Sequence, residues 1–216
     1  YLLAISSIEK YKDNKNVNKS NNTSKKINNM FLINYFKKSI RFLFALIALI
    51  VCSPLIIFFS LLIYFEDKSN PFYSGVRVGQ NFKLFKLYKL RSMIIRKNIG
   101  FQSTSANDSR ILKIGKLIRA TKIDELPQIL NVLIGNINFV GPRPNVKDEV
   151  DKYSNLEKNL LNYKPGITDF SSIIFSDEGD ILKNSKDPDL DYNLYIRPRK
   201  NLVALLYFKD NNLLTD

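Results

Sequence analysis

Phe42-Leu-Phe-Ala-Leu-Ile-Ala-Leu-Ile-Val-Cys-Ser-Pro-Leu-Ile-Ile-Phe-Phe-Ser-Leu-Leu-Ile-Tyr-Phe65 is a run of 24 residues without a charge, 17 of them Leu, Ile, Val or Phe. At ~1.5 Å per residue a straight helix of this length reaches about 36 Å, enough for a ~30 Å hydrocarbon core. Insertion of its large apolar side chains gains up to roughly −7 kcal/mol, at about −0.4 kcal/mol each. The run ends in Tyr64-Phe65-Glu66-Asp67 and offers no small-residue cleavage site, so it reads as a membrane segment and not as a cleaved signal. Its lone cysteine, Cys52, reads as a small apolar filler.

Ser53-Pro54 stands in the middle of this run. A proline removes one backbone donor and crowds the carbonyl four residues earlier, so a helix through it must bend or break. Two outcomes compete on physical grounds. A kinked helix crosses the bilayer, or two half-helices form a hairpin that enters and leaves by one leaflet, with Ser53 bonding a freed carbonyl. Lys37, Lys38 and Arg41 precede the run, and Glu66, Asp67 and Lys68 follow it with a basic region further on, so the positive-inside rule prefers both flanks on the cytoplasmic side, which favours re-entry, while prolines are also tolerated in spanning helices.

Outward from this segment the composition changes sharply. Residues 1–29 hold seven Asn and six Lys, a composition too polar to bury a core and expected to remain a disordered tail. The first residue is Tyr1 and not Met, which points to a trimmed or incomplete N-terminus. The whole chain of 216 residues carries a net charge of +13, and residues 83–122 alone hold 11 basic and one acidic residue. Such a block wants an anionic partner: nucleic acid, an anionic membrane surface or a phosphorylated substrate. It contains no recognisable nucleic-acid module. There is no histidine, which excludes a serine–histidine triad, an imidazole base and histidine-ligated metals.

Beyond residue 66 the pattern is that of a soluble α/β domain. Pro71–Gly79 and Phe82–Leu90 read as two extended segments joined by a polar turn. Arg110–Arg119 alternates bases and apolar residues at helical spacing, and such a helix can lie on anionic headgroups or pack on the domain. In Thr121–Leu133, Asp124 is a natural N-cap, Pro127 suits a first turn, and Leu126, Ile129, Leu130 and Leu133 make one stripe. Asp124 and Glu125 then either cap and complement the helix, or serve as nucleophile and metal ligand or base. Pro142-Arg143-Pro144 holds an arginine in a stiff loop, which suits a bidentate grip on phosphate as well as a plain surface turn. Lys164-Pro165-Gly166 reads as a turn.

The order of these segments, namely Ser53-Pro54 in an apolar run, Phe72–Gly79, Phe85–Met93, Asp124–Gln128, Val140–Pro144 and Lys164–Thr168, resembles the bacterial sugar transferases. These are the monotopic polyprenyl-phosphate phosphoglycosyl transferases. The resemblance covers about residues 35–208. It implies an α/β fold: a small membrane-associated catalytic domain (67–216) behind an N-terminal, proline-broken, re-entrant membrane helix (30–66). It also implies transfer of a sugar 1-phosphate from a UDP-sugar to undecaprenyl phosphate with release of UMP, the first membrane step of surface glycan synthesis. On matching positions Asp124 would be the nucleophile, forming an aspartyl phosphosugar intermediate, and Glu125 would bind Mg²⁺ with Asp124 and assist the attack. Lys86, Lys89, Arg91 and Arg119 are candidates for neutralising the diphosphate, and Arg143, between Pro142 and Pro144, for gripping the nucleotide. The implied site is the cytoplasmic face of a bacterial inner membrane, with an anionic surface and downstream glycosyltransferases as further partners and no nucleic acid. The sequence departs from the family pattern at Gly75, Arg96-Lys97, Asn136-Ile137-Asn138 and Asp169, which bears on the donor sugar and not on the acids. A membrane-anchored binding module, or an inactive relative acting as a scaffold, are the competing expectations.

Overall fold

The computed structural model describes residues 2–94, 110–182, 185 and 187–210, with side chains from Tyr35 onward. The chain divides into two compact units, Tyr1–Phe44 and Ala45–Asp216. Helix α1 (Leu2–Asp67) contributes to both. Residues 2–29, expected as a disordered tail, are part of this helix. The expected pair of half-helices is not seen either, because α1 keeps its helical assignment through Pro54. The reason is local. Pro54 cannot donate to the carbonyl of Ile50, and the Ser53 hydroxyl donates to that same oxygen at 2.8 Å, so the vacancy in the ladder is filled by a side chain. Residues 35–67 are long enough to cross a membrane and contain an 18-residue window with a mean hydropathy of 2.9.

Within the second unit, one stripe of α1 is a wall of the domain core. Ala45, Ala48, Leu49, Cys52, Ile56, Phe59 and Ile63 recur at three- and four-residue spacing and pack inward. Ile47, Ile50, Val51, Leu55, Ile57, Phe58 and Leu61 face outward and are exposed. Cys52 fills the seam between the two clusters it touches.

After α1 comes the expected hairpin. β1 (Phe72–Val78) and β2 (Leu84–Leu90) pair antiparallel, Phe72 opposite Leu90 and Val78 opposite Leu84. Its tight turn places Asn81 and Phe82 at positive φ, 54° and 62°. Then follow α2 (Lys113–Ala120), a 3₁₀ turn at Ile123–Glu125 and α3 (Gln128–Ile134). β3 (Asn138–Val140), α4 (Lys147–Asp151), a 3₁₀ segment Glu157–Asn162 and β4 (Gly166–Thr168) come next, with β3 and β4 parallel. The C-terminal part holds α5 (Phe170–Ile174), α6 (Glu178–Ile181), α7 (Pro188–Asp191), a π-helical turn (Tyr192–Ile196) and α8 (Arg197–Asp210). Asp169 caps α5 by accepting from Ser172 N at 2.6 Å and from the Ser171 hydroxyl at 3.0 Å.

Two joints place the functional loops. At the end of α1, the Glu66 carboxylate accepts from the backbone N–H groups of Lys113 (2.7 Å) and Ile114 (3.0 Å), capping α2 from 47 residues away. Beside it Asp67 takes both arms of Arg91 at 2.5 and 2.6 Å. The second joint is a contact of bare backbones. A Cβ on Gly141 would stand 2.4 Å from Lys164 O, and one on Gly166 would stand 2.2 Å from Gly141 N. Only glycine permits this approach, which sets the Pro142–Pro144 loop against Lys164-Pro165-Gly166.

Candidate active site

Asp124 does not cap a helix. Lys122 is left-handed (φ 58°), which ends the run from α2; Ile123–Glu125 then closes a 3₁₀ turn, and α3 begins only after Pro127. The expected stripe is correspondingly rotated: Leu126, Ile129 and Leu133 pack inward and Leu130 is exposed. The fully buried Asn131 and nearly buried Gln128 take inward positions. Asn131 accepts from Tyr88 N–H at 3.0 Å and donates to Lys86 O at 2.7 Å, so it grips the backbone of β2 as a neighbouring strand would. A lone Asn between apolar residues reads as a polar interruption, and only the three-dimensional pairing reveals this role.

That grip sets β2 beside the 3₁₀ turn and brings Lys89 to the acids. Its ammonium lies 3.0 Å from Glu125 Oε1 and 3.7 Å from Asp124 Oδ2. Arg143, from the proline-framed loop, donates to the same Glu125 Oε1 at 2.9 Å. Burial opposes ionisation of Glu125, but Arg143 and Lys89 outweigh it and hold its pKa at about 2. Asp124 goes the other way: burial raises its pKa, Lys89 opposes, and the charge on Glu125 raises it further. Its Oδ1 is buried and without a hydrogen-bond donor.

Two of the expected basic residues are elsewhere. Arg91 is 3 % exposed and held by Asp67 and by Asn70 O at 2.6 Å, so it ties β2 to the end of α1 and is not brought to the acids. Lys86 is exposed and lies three residues from Lys89, on the opposite face of β2, because strand faces alternate every second residue. Arg119 stays close enough to Asp124 to favour its ionised form, while its guanidinium donates to Met93 Sδ at 3.3 Å. Arg96 and Lys97 lie outside the described residues. Ser53 and Pro54 lie in α1, where they act on helix geometry.

Arg143 is the meeting point of two clefts. One, of about 470 Å³, is lined by polar and charged groups including Tyr73, Arg77, Lys89, Arg143, Glu149 and Tyr192. The other, of about 550 Å³, is walled largely by Leu126, Ile129, Phe139, Ile167, Ile173 and Phe175, with Glu125 and Arg143 at its polar end. Arg77 is the cleft residue that reading of the sequence missed. It sits at an alternate position of β1 to Tyr73, a placement visible only once the register is known.

No cluster of three or more acidic, cysteine or histidine ligands exists among the described residues. The orphaned Asp124 Oδ1 and the neighbouring Glu125 carboxylate are nevertheless hard oxygen donors of the kind Mg²⁺ takes from a protein, which needs one or two carboxylates when substrate phosphates supply the rest.

Comparison with known proteins gives a consistent picture. The profile of the family described as bacterial sugar transferase matches residues 32–206. A galactosyl transferase CpsE of Streptococcus agalactiae serotype III is 42% identical over 136 residues, 57% of this chain and 30% of that protein. An undecaprenyl-phosphate galactose phosphotransferase of Salmonella typhimurium is 35% identical over 150 residues, 62% of this chain and 31% of that protein. A UDP-glucose:undecaprenyl-phosphate glucose-1-phosphate transferase of Klebsiella pneumoniae is 34% identical over 143 residues, 64% of this chain and 30% of that protein. The chain thus matches about a third of the length of these three relatives.

Proposed function

The chain belongs to the bacterial sugar transferase family, and from that premise we propose that it moves a sugar 1-phosphate from a UDP-sugar to undecaprenyl phosphate. The observation that carries this reading is the junction at Arg143 and Glu125. A polar cleft fit for a nucleotide diphosphate, with Lys89 on its wall, and an apolar cleft fit for a prenyl chain, with Glu125 on its wall, both open on Arg143, next to the buried Asp124 carboxylate.

The steps follow from the residues. The donor enters with its diphosphate facing Lys89 and Arg143. An Asp124 carboxylate oxygen attacks the sugar-proximal phosphorus; a P–O bond forms, the bond from that phosphorus to the bridging oxygen breaks, and UMP leaves with that oxygen. A phosphate oxygen of undecaprenyl phosphate then attacks the same phosphorus and expels Asp124 as a carboxylate. Both attacks bring anions together, so the fixed cations lower the barrier by facing the charge as it builds. Lys89 favours the ionised form of the attacking carboxylate, partly offsetting the burial that raises its pKa. Glu125 holds Lys89 and Arg143 in place through one shared oxygen. Mg²⁺, held by Asp124 and Glu125, would supply further neutralisation of the diphosphate.

The packing of α1 supports a monotopic attachment, and the basic residues flanking its apolar run favour the cytoplasmic face of the inner membrane. Domain contacts run from Ala45 to Ile63, about 27 Å of helix. A helix joined over that length to a charged domain cannot stand alone across a ~30 Å hydrocarbon layer. Ser53-Pro54 is the point at which the axis can turn back toward the leaflet it entered, since proline is the usual seat of a helix bend.

Purified protein with Mg²⁺, undecaprenyl phosphate and a panel of UDP-sugars should release UMP, and Asp124→Asn should abolish it without detaching the protein from membranes. Donor alone should leave a phosphohexose adduct on Asp124, visible by mass spectrometry; undiminished UMP release from Asp124→Asn would end the nucleophile assignment. In a Cys52→Ser background, Lys38→Cys and Lys68→Cys should label from the same side of the membrane, and labelling from opposite sides would refute the monotopic reading.

A further inference from the structure

Arg77 lines the polar cleft together with Lys89 and Arg143, yet no carboxylate pairs with it among the described residues. Lys89 and Arg143 both engage Glu125. Glu149, the acid on the cleft wall, has one oxygen bonded to Lys152 at 2.9 Å. The hydrogen bond that Arg77 makes is a short return to the carbonyl of its neighbour Val76, at 2.9 Å from Nη1, which leaves most of the donors of its fork to the cleft. Burial and the like charge of Arg143 weigh against the Arg77 cation, with Tyr73 opposing them.

The position of the fork depends on what is missing beneath it. Tyr73, Gly75 and Arg77 occupy alternate places on β1, opposite Lys89, Leu87 and Phe85 of β2, and so share a face. A Cβ on residue 75 would stand 2.9 Å from Arg77 Nη1 and 3.1 Å from the Tyr73 hydroxyl. The bare backbone of Gly75 therefore lets the guanidinium lie down along the sheet beside Tyr73, and a side chain there would displace it.

Two guanidinium groups and an ammonium facing one cleft, with one of the three lacking an acid, form a site for a polyanion. Resting on the function proposed above, we infer that Arg77 is a second guanidinium for the diphosphate of the nucleotide-sugar donor, and that Gly75 is the residue that positions it.

The test uses the full chain in detergent with Mg²⁺ and two probes, UDP and inorganic pyrophosphate, in isothermal titration. Arg77→Gln should raise the Kd of both by about 10- to 100-fold, the range for a lost charge-assisted hydrogen bond. Arg77→Lys should fall between, keeping charge without the fork, and Gly75→Val should weaken both probes with Arg77 still present. Lys116→Gln, an exposed residue of α2, removes the same charge and should leave both affinities unchanged. Circular dichroism melts verify folding; if Arg77→Gln is not folded, the Arg77→Lys comparison decides. Unchanged Kd values in a folded Arg77 variant, or an equal loss in Lys116→Gln, overturn the inference even where the protein turns over UDP-sugars. Weakened pyrophosphate binding in the Arg77 variants upholds it even where no UDP-sugar is turned over, so the two readings fail separately.

Discussion

Replacing Glu125 by Gln removes the charge that Lys89 and Arg143 share and leaves the shape of the site almost unaltered. A carboxyl held at about 2 in the fold against an ordinary 4.5 carries about 3 kcal/mol of stabilising coupling near neutral pH, at ~1.4 kcal/mol per tenfold. The sign follows from the depressed value: this stability is fully present above the unfolded-state pKa and is lost as pH falls toward the folded one. By the same linkage about 1.4 kcal/mol survives at about pH 3. Part of the loss in the variant is returned, because Asp124, whose pKa Glu125 raises, ionises more easily once that neighbour is neutral. The gap between wild type and Glu125→Gln should therefore be at most about 3 kcal/mol near pH 7, or roughly 6–12 °C in Tm for a chain of this size. It should narrow to about half by about pH 3. Thermal unfolding in detergent across that range reads both numbers. Equal melting temperatures near neutral pH, or a gap that stays constant on acidification, would show that Glu125 is not coupled to its two cations as the geometry requires.

Asp67→Ala leaves the 3 % exposed Arg91 charge without its partner and should cost about 3 kcal/mol, read as a drop in melting temperature. Asn131→Ala strips partners from Tyr88 N–H and Lys86 C=O and should destabilise by about 2–4 kcal/mol, with faster amide exchange at Tyr88 as its local signature. The raised pKa of Asp124 places the acid limb of kcat/KM above the ordinary aspartate range. Because Lys89 favours the ionised form, Lys89→Met should move that limb to higher pH, a shift visible in UMP release against pH.

The hairpin was legible because turn residues and extended segments are local signals, and β1 and β2 fall within a residue or two of where they are expected. The acids and Arg143 were legible as residue types in stiff or capped surroundings, and the structure does gather them. What the sequence could not convey is direction. Lys86 and Lys89 look alike as letters, and only the two-residue alternation of a strand sends them to opposite faces. Arg91 looked like a phosphate ligand until its partner, 24 positions earlier, was in view. The helix at Asp124 was misplaced because one left-handed residue, Lys122, uncouples the 3₁₀ turn from α2, and no composition rule announces that for a lysine. Pro54 announced a gap in the backbone ladder, and the structure fills that gap with the Ser53 hydroxyl on the Ile50 carbonyl, a partner that the letters alone do not single out.

Glu66 and Asp67 end the lipid-facing helix by holding α2 with one carboxylate and β2 with the next. Arg91 follows Lys89 on the same face of that strand, so the ammonium beside Asp124 and Glu125 is two residues from a bolt driven into the end of α1. On the function proposed above, depth and tilt of the apolar helix are thereby coupled to the chemistry: the bilayer would be the jig in which the working parts are aligned, as well as the place where a prenyl substrate is found.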